Sequence, residues 1–245
     1  MATTTLTDET WKRYLRQFSL QGWGLETYEL LKGKKVLVLG AGGIGSTLLP
    51  YLAGAGVGAI TVADGDRIEL SNLHRQVLYT AEDIGMLKAE AAVKRLMALN
   101  SLVHLEAVPY RLDVSNAASL IKDCDLVCDG TDNTATRFVV NDACVALGKT
   151  LVWGAASGFT GQVSVFNAPL GNGQRGPNLR TIYEEEPADA FDCVDQGVLG
   201  PVPGITGSIM AAEALNILSG NISGLGGKIL VFDARNMDFR VLNLV

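Results

Sequence analysis

Several features that would place the chain in a familiar class are missing from its 245 residues. No two cysteines form a Cys-x-x-Cys pair, the spacing typical of structural zinc sites and thioredoxin-like redox centres. The cysteines are also too few and too irregularly spaced for a disulfide scaffold. There are four of them, Cys124, Cys128, Cys144 and Cys193. The first three fall on predicted buried elements, where a thiol serves as a small core residue.

An excess of positive charge is missing as well. The 20 basic side chains are outnumbered by 26 acidic ones, which gives a formal charge of -6 and no diffuse basic field for nucleic acid or anionic lipid. The start, MATTTLTDETWKRYL, lacks the basic and apolar regions of a secretory signal. No stretch reaches the roughly 18 apolar residues of a membrane span. We therefore expect a cytoplasmic protein that binds neither nucleic acid nor membrane.

Apolar residues and glycines are abundant instead. Hydrophobic residues make up 48% of the chain, and glycine accounts for 28 of its 245 residues, a larger share than the average of about 7%. This length and apolar content suit a single domain over residues 1–245. From Lys35 onwards, strand and helix patterns alternate, which predicts an α/β fold with a Rossmann-like, doubly wound, mostly parallel sheet. The polar and apolar alternation of residues 160–166 predicts an antiparallel strand, and two further strands close the chain.

Two segments lie outside this alternation. Residues 1–33 have apolar side chains at helical spacing around Tyr14 and a glycine-rich break at 22–24, which predicts an N-terminal helical arm. Residues 168–203 show no periodicity and predict a long crossover loop, followed by a helix from Thr206 to Leu218.

The glycine motif GAGGIG, residues 40–45, follows an apolar strand pattern and precedes a helical one. Glycines at such a turn let a backbone approach a phosphate, and the helix N-terminus stabilises the phosphate charge. Asp64 ends the next strand, where it can accept hydrogen bonds from a ribose. The motif predicts nucleotide binding, but it does not separate a redox dinucleotide from an ATP that is consumed.

Cations beyond the second strand favour ATP. Arg75 lies in Ser71-Asn72-Leu73-His74-Arg75-Gln76, and Lys88 begins a predicted helix. Phosphoryl or nucleotidyl transfer needs such cations because negative charge develops on the phosphates, whereas a nicotinamide pocket is apolar. The alternative is that both are ordinary surface residues.

A second carboxylate follows another buried strand, in Asp129-Gly130-Thr131-Asp132-Asn133. Ligands of open α/β sheets bind at the carboxyl ends of the strands. Asp132 could hold Mg²⁺ through its hard oxygen atoms, or Asp132 and Asn133 could cap the next helix.

Together these segments resemble one family, the ThiF/MoeB/HesA adenylyltransferases, which are bacterial relatives of the ubiquitin-activating enzymes. The resemblance covers nearly the whole chain in order. It rests on Arg13-Tyr14-x-Arg16-Gln17, GAGGIG, Asp64-Gly65-Asp66, Ser71-Asn72-Leu73-x-Arg75-Gln76, Asp83-Ile84-Gly85-x-x-Lys88, Thr131-Asp132-Asn133, Gly161-Gln162-Val163 and Gly197-Val198-Leu199-Gly200.

The resemblance implies an ATP- and Mg²⁺-dependent enzyme that adenylylates the C-terminal Gly-Gly carboxylate of a small ubiquitin-like sulfur-carrier protein. The family position of Gly43 contacts the nucleotide, that of Asp64 the ribose, and that of Asp132 the metal. Asn72, Arg75 and Lys88 match the phosphate-binding positions, and Arg16 matches a residue that reaches the site of the other subunit of a homodimer. The wider nucleotide set is Gly40, Gly42, Gly45, Asp66, Gln76 and Asn133.

The chain departs from the family at the zinc site that many members build from two Cys-x-x-Cys pairs. Asn178-Leu179-Arg180-Thr181 stands where the first pair is expected, so we expect no zinc and a fold held at that edge by packing. Cys193 matches a loop cysteine that some relatives link covalently to the carrier. No rhodanese-like segment follows, which implies a separate sulfur donor.

Other functions remain open at this stage. Sulfur transfer for thiamine, molybdopterin or related biosynthesis is the leading reading, and adenylylation of another carboxyl or amide, such as a peptide in peptide tailoring, is the nearest alternative. An NAD-dependent oxidoreductase and an inactive binding module are less favoured, because Arg75, Lys88 and Asp132 are all present.

Overall fold

The computed structural model describes residues 6–170, 173–185 and 197–244. Its strands are β1 Lys35–Leu39, β2 Ala59–Ala63, β3 His104–Val108, β4 Leu126–Asp129, β5 Thr150–Ser157, β6 Thr160–Phe166, β7 Lys228–Asp233 and β8 Asp238–Asn243. Its α-helices are α1 Asp8–Phe18, α2 Leu25–Lys32, α3 Gly45–Ala55, α4 Lys88–Leu99, α5 Ala117–Ile121, α6 Thr134–Ala146, α7 Leu179–Ile182 and α8 Pro201–Leu218. Two 3₁₀ turns cover Leu70–Asn72 and Ala81–Asp83.

The eight strands form one sheet in the order β3-β2-β1-β4-β5-β6-β7-β8. The first five pair in parallel, and β6, β7 and β8 add antiparallel strands at the other side. The predicted fold class is therefore confirmed, including the antiparallel strand at 160–166. Strand β1 is flanked by β2 and β4, so the strand order reverses there. Such a switch point is where open α/β sheets bind ligands.

Helices cover both faces of the parallel part of the sheet, whereas β8 is exposed along its whole length. Along β1, Val36 and Val38 pack into the core shared with α3, α4 and α8, while Leu37 and Leu39 pack into the core shared with α5, α6 and α7. This burial on both faces explains why the strand reads as a continuous apolar run. Within the described ranges, no helix combines the length and the apolar character that crossing a bilayer would require.

The N-terminal arm consists of α1 and α2, as predicted, and it packs at the far end of the helices that follow β1 and β2. The Tyr14 hydroxyl lies 2.8 Å from Nδ2 of Asn100, just after α4, and its ring lies beside Gly56, just after α3. Arg13 donates a hydrogen bond to the Leu99 carbonyl at 2.9 Å. Helices α3 and α4 both begin at the carboxyl ends of the parallel strands, which form the carboxyl edge of the sheet. The arm is therefore attached at the opposite edge, where these strands begin.

The described residues of the predicted loop at 168–203 include helix α7 and the start of helix α8. Helix α8 begins at Pro201, not at Thr206, because proline at the first helical position sacrifices no hydrogen bond. The early prolines and glycines of α8 break the apolar periodicity and hide its start from sequence reasoning. They also allow close packing: a Cβ at Gly207 would overlap the Ile44 carbonyl and the Thr47 hydroxyl.

The short helix α7 is fastened to α6 by polar contacts. Asn178 and Thr181 form a capping box around its first turn, with 2.9 Å from Arg180 N to Asn178 Oδ1. The Arg180 guanidinium donates hydrogen bonds to both carboxylate oxygens of Asp142, at 2.7 and 2.8 Å. It also lies 5.0 Å from the centre of the Phe138 ring. A capping box and an ion pair therefore contribute at this edge besides packing.

Replacing Asn178 by alanine tests the cap. The loss of its acceptor should weaken α7 by about 1 kcal/mol and speed amide exchange at Tyr183, whose N–H closes the helix on the Leu179 carbonyl. Asn178→Asp keeps the acceptor and is the matched control. Equal exchange rates at Tyr183 in Asn178→Ala and wild-type protein would contradict the capping role.

Candidate functional site

The glycine turn lies at the switch point of the sheet. Gly40 follows β1 with a φ of +84°, and a Cβ there would come within 3.0 Å of the Gly130 backbone after β4. Gly45 begins α3, and a Cβ there would overlap the Gly40 carbonyl oxygen. Both positions therefore require glycine. The turn sets the N-terminus of the 11-residue helix α3 at the carboxyl edge, an arrangement that attracts anions.

Two other glycines of the turn face neighbouring elements. A Cβ at Gly43 would lie 2.9 Å from Cβ of Pro203 in α8 and 3.6 Å from Cγ of Arg75. Gly42 faces the side chain of Gln76, and a Cβ on Gly42 would lie 3.6 Å from Nε2 of Gln76. The Gln76 side chain is buried, and its Oε1 has no hydrogen-bond partner among the described residues. An unpaired buried acceptor is rare, and here it borders the glycine turn.

Asp64 lies just after β2, and its carboxylate accepts hydrogen bonds from the glycine turn and from its own loop. Its Oδ2 accepts from Ala41 N and its Oδ1 from Asp66 N, each at 2.8 Å. A carboxylate has about four acceptor positions, so acceptor capacity remains on both oxygens. Burial raises the pKa of Asp64, and the charge of Lys88 and the two N–H groups only partly oppose this.

Lys88 begins α4 and points into the same region. Its side chain is 9% exposed, and its Nζ lies 3.0 Å from Oδ2 of Asp66. The buried Tyr79 hydroxyl lies 2.7 Å from the Ala41 carbonyl and 3.2 Å from the Lys88 carbonyl, which links the glycine turn to the start of α4. Burial raises the pKa of Asp66, but the hydrogen bonds from Arg111 and Lys88 outweigh it, and the net pKa is lowered.

Asn72 ends the 3₁₀ turn Leu70–Asn72 after β2, and Arg75 lies in the turn that follows it. Asn72 is buried, and its Oδ1 accepts from Glu69 N at 3.1 Å, while its carbonyl accepts from Arg75 N at 3.0 Å. The half-buried Arg75 side chain donates to the Ser71 carbonyl at 3.1 Å and passes the glycine turn at Gly43. The turn therefore fixes the backbone from which the Arg75 guanidinium extends.

Asp132 and Asn133 follow β4 and have different surroundings. Asn133 caps α6, with its Oδ1 accepting from Thr136 N at 2.9 Å. Asp132 is exposed, and its carboxylate makes no hydrogen bond within the described residues. The capping alternative therefore applies to Asn133 and not to Asp132. No group of three or more metal-ligating side chains occurs in the part of the chain that the structure describes. One free carboxylate still suits Mg²⁺, which keeps several waters and also binds substrate phosphates.

Asp129 shapes the turn that carries Asp132. It is fully buried, and its Oδ1 accepts from Thr131 N at 2.9 Å and from the Thr131 hydroxyl at 2.7 Å. Burial raises its pKa. The Thr131 carbonyl in turn accepts from Nε and Nη2 of Arg137, whose guanidinium lies 5.5 Å from the centre of the Trp153 ring.

Two predicted residues are not brought to this cluster. Arg16 is exposed on the last turn of α1, and the arm attaches where α3 and α4 end. For the 11-residue helix α3, this end lies about 16 Å from the start at the glycine turn. Cys193 lies outside the described residues.

Two arginines near the cleft escaped sequence reasoning. Arg111 follows β3 and donates to Asp66 at 2.8 Å, and Arg137 lies on α6 beside the Asp132 turn. Arg111 follows the carboxyl end of a parallel strand, as Asp64 and Asp132 do, so the same rule could have found it. Arg137 offered no comparable signal, because it sits within a helix.

Comparisons with known proteins show the family to which the chain belongs. A family model described as "ThiF family" matches residues 14–244. A sulfur carrier protein adenylyltransferase of Thermus thermophilus is 48% identical over 240 residues, which cover 97% of this chain and 89% of that protein. MoeZ of Mycobacterium tuberculosis is 41% identical, and the adenylyltransferase and sulfurtransferase MOCS3 of Culex quinquefasciatus is 40% identical. Each match covers 98% of this chain, but the chain spans only 62% of MoeZ and 54% of MOCS3.

Solved structures share the fold at lower identity. PaaA superposes with a TM-score of 0.81 at 24% identity, covering 100% of this chain and 76% of PaaA. MccB of E. coli, in a structure with ATP, superposes with a TM-score of 0.82 at 20% identity, covering 98% of this chain and 72% of MccB.

The glycine turn yields a paired test within one helix. Gly45→Ala should destabilise the protein by about 2 kcal/mol, because the new methyl group overlaps the Gly40 carbonyl. Gly54→Ala, in the same helix but with open space around it, should stabilise the protein by about 0.5–1 kcal/mol. Chemical denaturation measures both, and equal stabilities of the two variants would refute the described turn.

Proposed function

The chain belongs to the ThiF family, and we propose that it adenylylates the C-terminal Gly-Gly carboxylate of a small ubiquitin-like sulfur-carrier protein, with ATP as co-substrate and pyrophosphate as product. One observation carries the proposal: three elements that bear Arg75, Lys88 and Asp132 meet at the glycine turn. The Arg75 side chain passes Gly43, Tyr79 links the Lys88 carbonyl to the turn, and Asp132 follows the Gly130-Thr131 backbone that packs on Gly40. The 48% identity to a sulfur carrier protein adenylyltransferase, which this chain covers over 89% of its length, supports the same reaction.

The reaction is a substitution at the α-phosphorus. A carboxylate oxygen of the carrier forms a bond to phosphorus, the bond to the pyrophosphate oxygen breaks, and an acyl adenylate results. A carboxylate is already ionised at neutral pH, so this step needs no general base. The protein must position the two substrates and neutralise the charge that develops on the leaving pyrophosphate.

The described residues suit these tasks. The remaining acceptor positions of Asp64 can bind ribose hydroxyls, and the N–H groups at the start of α3 can bind phosphate oxygens. The guanidinium of Arg75 and the ammonium of Lys88 supply the compensating positive charge. Asp132 offers the free carboxylate through which Mg²⁺ would be held, and that ion would supply further charge neutralisation on the triphosphate.

None of the cysteines that the structure describes suits sulfur transfer. A cysteine that attacks or carries sulfur must be accessible and readily deprotonated. Burial raises the pKa of Cys124 to about 11, and it also raises the pKa values of Cys128 and Cys144. These three cysteines are buried in the core and suit packing only. The covalent role of Cys193 stays a prediction.

The main test is pyrophosphate exchange into ATP. The protein should catalyse exchange only with a carrier that ends in Gly-Gly, and a carrier without these two residues is the control substrate. Exchange with an unrelated peptide but not with the carrier would favour peptide adenylylation. Tight NAD binding without exchange would overturn the proposal.

Asp132→Asn should lower exchange at least about a hundredfold, because the amide removes the anionic ligand while keeping the side-chain shape. Its thermal unfolding should match that of the wild type, since Asp132 makes no hydrogen bond within the described residues and Asn133 supplies the cap of α6. Full exchange activity in Asp132→Asn would refute the metal-binding role.

We further propose that the active form is a homodimer in which Arg16 serves the site of the partner subunit. The attachment of the arm at the opposite edge of the sheet supports this, because it keeps Arg16 away from the cleft of its own chain.

Mixing two inactive variants tests the shared site. Arg16→Ala and Lys88→Ala are each expected to be inactive, but their mixed dimer contains one intact site if Arg16 crosses the interface. Random reassociation should therefore restore about a quarter of wild-type exchange. Mixing Arg16→Ala with further Arg16→Ala protein is the control. No recovery in the mixed sample, with subunit exchange verified, would contradict the shared site.

A further inference from the structure

Asp66 carries two cations on one carboxylate. Its Oδ2 lies 3.0 Å from Lys88 Nζ, and its Oδ1 lies 2.8 Å from Nη2 of Arg111. The two partners differ in exposure, since the Lys88 side chain is 9% exposed and that of Arg111 is 75% exposed. Asp66 thus connects a buried ammonium group to an exposed guanidinium group.

The backbone of Arg111 is held firmly despite its exposed side chain. Its N–H lies against Gly65, where a Cβ would be 3.0 Å away, and its carbonyl accepts from Asn116 Nδ2 at 3.1 Å. The next residue, Leu112, is buried in the core. Arg111 is therefore aimed at Asp66 from a fixed position, unlike a surface arginine on a loose loop.

The Arg111 guanidinium also interacts electrostatically with acidic groups beyond Asp66. The Asp66 carboxylate is the main cause of the raised pKa of Arg111, and the charges of Asp132 and Asp64 contribute to it. Asp132 follows β4 and Arg111 follows β3, two strands that β2 and β1 separate. The charge of the guanidinium thus interacts with acidic groups that follow two different strands, β2 and β4.

We propose that Arg111 is a positioning residue for Lys88, acting through the Asp66 carboxylate that the two share. This rests on the proposed adenylylation, in which Lys88 stabilises phosphate charge. An ammonium bound to a carboxylate with no other partner is largely neutralised by it. Because Arg111 takes up part of the Asp66 charge, it leaves the Lys88 ammonium free to turn a donor toward a phosphate oxygen.

A double-mutant cycle between Arg111 and Asp66 tests this coupling. Arg111→Gln should lower kcat/KM for ATP in pyrophosphate exchange about threefold to fivefold, a size typical of a partly exposed ion pair. Arg111→Lys keeps a positive charge beside the Asp66 carboxylate and should therefore recover most of this loss. In an Asp66→Asn background, Arg111→Gln should cause no further loss, because the shared carboxylate is gone.

The chain offers a closely matched control. Arg240 pairs with Asp238 on the outer strand β8, far along the sheet from Asp66. The side chains of Arg240 and Asp238 are 71% and 46% exposed, against 75% and 40% for those of Arg111 and Asp66. Arg240→Gln should leave kcat/KM for ATP unchanged. An equal loss in Arg240→Gln and Arg111→Gln would overturn the proposal, because it would reveal a general charge effect.

Two other results would also overturn it. If Arg111→Gln loses as much activity in the Asp66→Asn background as in the wild type, Arg111 contacts the nucleotide directly. If Arg111→Gln has wild-type kcat/KM, the pair is only a surface contact. The same cycle is measured on the dissociation constant for ATP, so it remains readable if Asp66→Asn abolishes exchange. Absence of exchange in the wild type would refute adenylylation itself and leave the ATP-binding cycle as the test of Arg111.

Discussion

The site depends on the close approach of two strand ends, at Gly40 after β1 and Gly130 after β4. No Cβ fits between them, and the same turn leaves no room for one at Gly45 or Gly43. The turn therefore contacts β4, α8 and the Gln76 side chain at once. The turn also accepts and donates hydrogen bonds at Ala41, which tie it to Asp64 directly and to the Lys88 backbone through Tyr79.

Within this frame, two aspartates only two residues apart acquire different properties. Asp64 is bonded to backbone N–H groups and its pKa is raised by burial, whereas Asp66 binds two cations that lower its pKa. Asp64 thus keeps acceptor capacity for neutral hydroxyl groups, while Asp66 is committed to positive charge. The difference comes from which strand end each side chain faces, since Gly65 between them lets the segment after β3 approach.

Sequence patterns predicted the sheet, its antiparallel strands and the residues next to the strand ends, because buried runs and glycine turns are local signals. The start of α8 was missed, since Pro201, Pro203 and Gly204 remove the periodicity that marks a helix. The fastening of α7 by Arg180 and Asp142 was also missed, because the two lie 38 residues apart. The positions of Arg111 and Arg137 depend on long side chains whose direction only the folded backbone sets.

The glycine motif alone does not distinguish a redox dinucleotide from ATP, because both bring phosphates to the same turn. The distinction comes from the neighbouring charges. In a chain of net charge -6, Arg75, Lys88, Arg111 and Arg137 all lie around one cleft. Asp64, Asp66, Asp129 and Asp132 lie near these cations and equal them in number, so the cluster holds charges of both signs. Cations held beside a phosphate-binding turn suit a triphosphate whose negative charge grows as pyrophosphate leaves, and hydride transfer would give them no comparable use.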